Sequence, residues 1–345
     1  MSGLIETIGL FSSVLSIVSF FEDLFPSTPS VTSNVPAGLT TVRIGVAKDG
    51  TSAAGTITEA KGRIGQINLY NEDREKISSN SFYKRGDPSG LVRDGSFTDF
   101  NLDCQGQQPT YLQIFGHEDA ICIAYIMHTW PDGTKRGWSG DIGSLCGVSH
   151  WSYSNIIVGR TPNGKNYKPA CTWLDWDHNT GITLPAMQIH ISDFFVEDAT
   201  NSTSLSKDTY CSAPNMIFQD GHPSPSNDIW SISYDPSING VDGMGKRRAA
   251  RRGAPVRKRS PRMESQLVIS DDPDHSAKRL CQSDMSHSAD FVSLDEGLFC
   301  DMGSKTLWPL CGNGVTDDCF DKEEKALVVK GDRQQRNYHD VQVWE

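Results

Sequence analysis

Short apolar runs separated by turn residues set the character of residues 39–240. TTVRIGVA (40–47), GQINLYN (65–71), TDFNL (98–102), TYLQIFG (110–116) and DAICIAYIM (119–127) read as strands, being rich in β-branched and aromatic residues. KDGTSAAG (48–55), KRGDPSG (84–90), RDGS (93–96) and WPDG (130–133) carry the Gly, Pro and Asp that suit turns. No long helical period interrupts this alternation. The chain is therefore predicted to be mainly β, with an antiparallel β-sandwich or barrel-like first module. AICIAYIM has no polar face, which predicts a central strand with Cys122 buried in it.

A second and smaller pattern follows at 264–345. HSAKRLCQSDMS (275–286) can form a short helix with Ala277, Leu280, Cys281 and Met285 towards one side. DFVSLDEGLFCDM (290–302) and KTLWPLC (305–311) read as two short strands or a hairpin that turns at Gly303-Ser304. CFD, KALVV and finally NYHDVQVW continue the strands. This predicts a small, disulfide-rich α+β module, of the size at which cross-links compensate for a thin core.

The amino terminus has a different period. Over residues 4–25 a half-helix of apolar residues (Leu4, Ile8, Phe11, Leu15, Val18 and Phe25 among them) opposes Glu6, Ser12, Ser13, Ser16, Ser19 and Asp23. The uncharged run between Glu6 and Glu22 is 15 residues, short for a membrane span. Residues 1–26 are thus open to three readings: an atypical signal segment, a helix docked on its own domain, or an amphipathic helix that meets a membrane. Residues 27–38 are rich in Pro, Ser and Thr and read as a spacer.

Charge separates the two modules sharply. The formal net charge is -11, yet residues 246–262 hold nine Lys/Arg and no Asp/Glu. The remainder has 32 − 9 = 23 basic against 43 acidic residues, a balance of -20. Such acidic modules repel nucleic acid, so no nucleic-acid partner is expected. The basic stretch lies in a polar, glycine-rich linker, 241–263, without apolar periodicity. Its dibasic pairs end at Arg247, Arg248, Arg252 and Arg259, which suits a processing protease of the kexin type. The competing reading is a bipartite nuclear address, with a nuclear or cytoplasmic protein as its consequence.

Nine cysteines favour processing and export. They are Cys104, Cys122, Cys146, Cys171 and Cys211 before the linker, and Cys281, Cys300, Cys311 and Cys319 after it. None is spaced as a zinc site. A disulfide framework is expected, with connectivity open. The odd number before the linker leaves either a buried thiol or a bridge across the linker.

Candidate chemistry is sparse. In DWDHNTG (175–181), Asp175, Asp177 and Asn179 alternate, as oxygens converging on calcium do. Thr180 stands where the calcium loop wants Gly, and Ala186 where it wants Glu. Otherwise no cofactor is expected. His190 and Asp193 could supply a general base and its orienter, with Asp175 or Asp177 nearby. No nucleophile elbow, HExxH or phosphate loop accompanies them. Asn201 opens an N-glycosylation triplet. Trp130, Trp138, Trp151, Tyr153, Tyr167, Trp173 and Trp176 form an aromatic-dense stretch, either a carbohydrate platform or core packing.

DAICIAYI (119–126), WPDG (130–133), CTWLDWD (171–177) and HSAKRLC…DFVSLDEGLFCDMGSKTLWPLC (275–311) together resemble a set of cysteine-containing secreted proteins of filamentous fungi. The resemblance implies export and a fungal source. It implies no established activity. Three functions follow from the residues: a processed, secreted binding protein of toxin or effector type with a protein or carbohydrate ligand; a secreted hydrolase centred on Asp175, Asp177, His190 and Asp193; or a membrane-active protein using residues 1–26.

Overall fold

The computed structural model describes residues 38–49, 60–84, 88–160, 165–178, 180–194, 210–212, 215–219 and 259–345. The segment 1–26, most of the spacer, Asn179, Asn201, Arg247, Arg248 and Arg252 lie outside them. The chain divides into two compact units, with the boundary near Arg252–Gly253.

The first unit contains β1 (Leu39–Val46), β2 (Gly62–Tyr70), β3 (Lys76–Ser81), β4 (Leu91–Val92), β5 (Phe97–Asp103), β6 (Tyr111–Gly116) and β7 (Ile121–Thr129). β8 (Lys135–Ser139), helix α1 (Gly140–Cys146), β9 (Trp151–Ser152), β10 (Gly159–Arg160), β11 (Asn166–Tyr167), β12 (Cys171–Leu174), β13 (Ala186–His190) and β14 (Met216–Gln219) follow. They form two antiparallel sheets in a sandwich-like arrangement, and β10 and β11 pair separately. One sheet has the order β5-β1-β7-β12-β9, with β8 also on β7; the other has the order β14-β13-β6-β2-β3, with β4 on β2. The predicted central strand is β7, and Cys122 on it is buried. Gly45 of β1 is required by packing, since a Cβ there would lie 2.0 Å from the Tyr125 ring.

Register explains how the second sheet divides its residues. Ile67, Ile114 and Met187 align across β2, β6 and β13, as do Leu69, Leu112 and Ile189. These alternate with Tyr70, Tyr111 and His190 in one row and Asn68, Gln113 and Gln188 in the next. All of these side chains are buried. One face of the sheet is therefore apolar and the other buries amides, phenols and an imidazole.

The second unit contains α2 (Pro261–Glu264), β15 (Gln266–Ser270), α3 (Ala277–Gln282), β16 (Asp290–Ser293), β17 (Leu298–Asp301), β18 (Thr306–Pro309), β19 (Cys319–Asp321), β20 (Ala326–Val329), β21 (Asp332–Gln335) and β22 (Asp340–Trp344). A five-stranded mixed sheet has the order β18-β17-β16-β15-β22, and β19-β20-β21 forms a second, three-stranded sheet. β15 lies parallel to both neighbours, so β15-α3-β16 is a βαβ crossover. DFVSLDEGLFCDM is two strands rather than one, because Gly297 at φ +64° turns the chain between β16 and β17. Leu267, Val292, Phe299, Phe320 and Leu327 form the core, with Phe299 and Phe320 stacked at 3.8 Å.

Four disulfides close within the units: Cys122–Cys171 and Cys146–Cys211 in the first, Cys281–Cys300 and Cys311–Cys319 in the second. Cys104 is not part of the framework. It is a buried free thiol that donates to the Gly38 carbonyl at 3.1 Å. Of the two uses open to the odd cysteine, the buried thiol is the one found, and no bridge crosses the linker.

Candidate functional site

His190 ends β13 on the polar face of the second sheet, and Asp193 follows in a 3-10 turn, Ile191–Phe194. Period-two alternation puts His190 in one row with Tyr70 and Tyr111, and the turn folds Asp193 back beneath it. Nδ1 of His190 lies 2.5 Å from Asp193 Oδ2, and Nε2 lies 3.0 Å from Glu72 Oε2 in the β2–β3 turn. Tyr111 stacks on the imidazole with centroids 4.1 Å apart. The His190 side chain is 10% exposed, whereas that of Glu72 is 65% exposed.

Both partners of the ring are carboxylates, which only accept when ionised. With an acceptor at each ring nitrogen, the arrangement favours the protonated ring, in which both nitrogens donate. Burial opposes the charged ring, but the hydrogen bonds to Asp193 and Glu72 outweigh it and raise the His190 pKa above its ordinary value. Burial likewise works against the Glu72 carboxylate, and His190, Thr110 and Arg74 outweigh it in turn, holding its pKa below the usual range. A doubly bonded imidazolium is a poor base. The arrangement fastens the β2–β3 turn to the end of β13, and base chemistry would first require Glu72 to swing away.

The middle of the same face is a chain of amides. Gln66 donates to Asn68 at 2.7 Å, Asn68 to Gln113 at 3.0 Å, and Gln113 to Gln188 at 2.9 Å. Tyr70 OH adds a bond to Gln113 Oε1 at 2.8 Å. At the other end Tyr83, His117, Phe115 and Trp176 pack ring on ring.

The turn after β12 holds Asp175, fully buried, whose Oδ2 accepts from the Thr180 backbone N–H and hydroxyl at 3.3 and 2.6 Å. Asp177 is exposed beside it. Among the described residues, Asp175 is bonded to Thr180, and His190 to Asp193 and Glu72. Trp130, Trp138, Trp151, Tyr153, Tyr167 and Trp173 are all buried and pack the core, and Trp176 is half-buried.

Arg259, which ends the last dibasic pair of the basic stretch, belongs to the second unit. Arg259 donates to Asp290 Oδ1 at 2.8 Å and also reaches the carbonyls of Met263 and Ser288. Ser260 then caps α2 by accepting from the Met263 N–H, with Pro261 in the first turn. Arg262 lies 3.5 Å from Asp340.

Sequence reasoning could not have found Glu72, which stands 118 residues from His190 in an acidic turn. Tyr111 and the amide row carry a signal only in hindsight, as polar residues at every second position of otherwise apolar strands. No protein-family model matches the chain, and no curated protein matches it.

Proposed function

We propose that the protein is a secreted, disulfide-stabilised fungal protein that acts by binding, in the manner of a toxin or effector, after a kexin-type protease cuts its linker. The observation that carries this reading is the division of the disulfides. Each of the four closes inside one unit, so a cut between the units leaves no covalent tie between them. Four disulfides in a β-rich fold also fit an oxidising, extracellular setting. No described helix is long and apolar enough to cross a membrane.

The position of Arg259 narrows the cut. A protease subsite needs the paired bases in an extended, accessible strand, and the Arg259 side chain is 10% exposed in an ion pair. Cleavage is assigned to the pairs ending at Arg247, Arg248 and Arg252, and Arg259 stays as an anchor of the second unit. The released units, each with its own cross-links, meet a protein or carbohydrate ligand outside the cell.

Incubation of the full chain with a kexin-type protease tests this. Two separate bands on a non-reducing gel are expected. A single band that parts only on reduction, or a chain that resists the protease, contradicts it.

A further inference from the structure

The turn after β12 buries a carboxylate oxygen without a donor. Asp175 is 0% exposed, and its Oδ1 has no hydrogen-bond partner among the described residues. Thr180 satisfies Oδ2 alone. Among the described residues, Asp177 also brings its carboxylate within hydrogen-bonding reach of Asp175. Two ionised carboxylates cannot satisfy each other, because both only accept. Such a pair is stable when a cation or a proton lies between the oxygens.

We propose that Asp175 and Asp177 bind a hard divalent cation, with calcium as the ion that fits. Asp175 Oδ1 is the preset ligand, fixed from behind by Thr180. Asp177, on the exposed side, closes over the ion. Among the described residues no third His, Cys, Asp or Glu joins them, so water and backbone oxygens complete the shell. Calcium tolerates that irregular set of six to eight oxygens, whereas magnesium demands a near-ideal octahedron. Two carboxylates place the site with weak extracellular calcium modules, on the order of 10⁻⁴–10⁻³ M.

Terbium is the direct probe, since Trp176 sits between the two carboxylates in the chain and can sensitise its emission. Calcium-free full-length protein at pH 7.5 should give terbium emission that calcium displaces, and calcium should raise the Tm. Asp177→Asn, at an exposed position, should fold and weaken terbium binding by about tenfold or more. Asp175→Asn should abolish the calcium shift yet keep the fold without calcium, because its amide accepts from Thr180 and donates to Asp177. Terbium emission unaffected by Asp177→Asn overturns the proposal. So does a Tm that calcium leaves unchanged at pH 7.5.

Discussion

Arg259 and Asp290 form an ion pair 2.8 Å long in which the side chains are 10% and 3% exposed. Tyr338 OH and the Met302 N–H complete the shell of Asp290 at 2.6 and 3.0 Å. Burial is the largest influence on Asp290 and pushes its pKa up, with Arg259 the main opposing charge. Removing one partner leaves the other charge buried and unpaired. Asp290→Ala should therefore destabilise the second unit by about 3–5 kcal/mol, read as a shift in its denaturant midpoint. The same variant should become cleavable after Arg259. An unchanged midpoint and unchanged resistance there would remove Arg259 from its anchoring role.

The His190 clamp has a pH signature. Its folded-state pKa is raised, so its contribution is fully present below the unfolded value of about 6.5 and is lost as pH rises through the folded value. Glu72, Asp193, Arg74, Tyr111 and Tyr210 are the titratable groups around it. His190→Gln should cost about 1–3 kcal/mol near pH 6 and progressively less towards pH 9. A wild-type advantage that grows with pH would show that the ring is neutral and that Glu72 is not its partner.

Gln113 joins three strands through Asn68, Tyr70 and Gln188. A leucine at this position would remove the partner that Asn68 and Tyr70 donate to and the donor that Gln188 accepts from. Gln113→Leu should cost about 3 kcal/mol or more by equilibrium unfolding, although it increases apolar content. Gln113→Glu, which keeps an acceptor, should still lose the bond to Gln188. A stabilised Gln113→Leu protein would mean that the amide chain has other partners that replace it.

Cys104 provides a count. Burial raises its thiol pKa, with the neighbouring Asp103 charge a lesser cause in the same direction. The native chain should react slowly with a thiol reagent. Denatured without reductant it should release one thiol, since the other eight cysteines are paired. Three thiols would break the assigned connectivity.

Five strands of the first unit, β1, β2, β5, β6 and β7, were legible because TTVRIGVA, GQINLYN, TDFNL, TYLQIFG and DAICIAYIM each alternate or run apolar between turn residues. β15 was not. QLVIS is only five residues long, follows straight on from α2, and gains its central place from parallel partners far along the chain. β21 was hidden for the opposite reason, since DRQQ is wholly exposed and polar. At the site, His190 and Asp193 are three residues apart and visible as a pair, whereas Glu72 reaches them only through the β2–β3 turn. Arg259 read as one more base in a basic run, because nothing local marks Asp290 as its partner.

The central claim is that linker cleavage separates two independently cross-linked units. Intact mass spectrometry of the protein from culture medium, without reduction, tests it most directly. Two species are predicted, one ending at Arg247, Arg248 or Arg252 and one carrying Arg259 near its start, each with two disulfides. One uncut species, or a cut species whose halves stay joined until reductant is added, would contradict it.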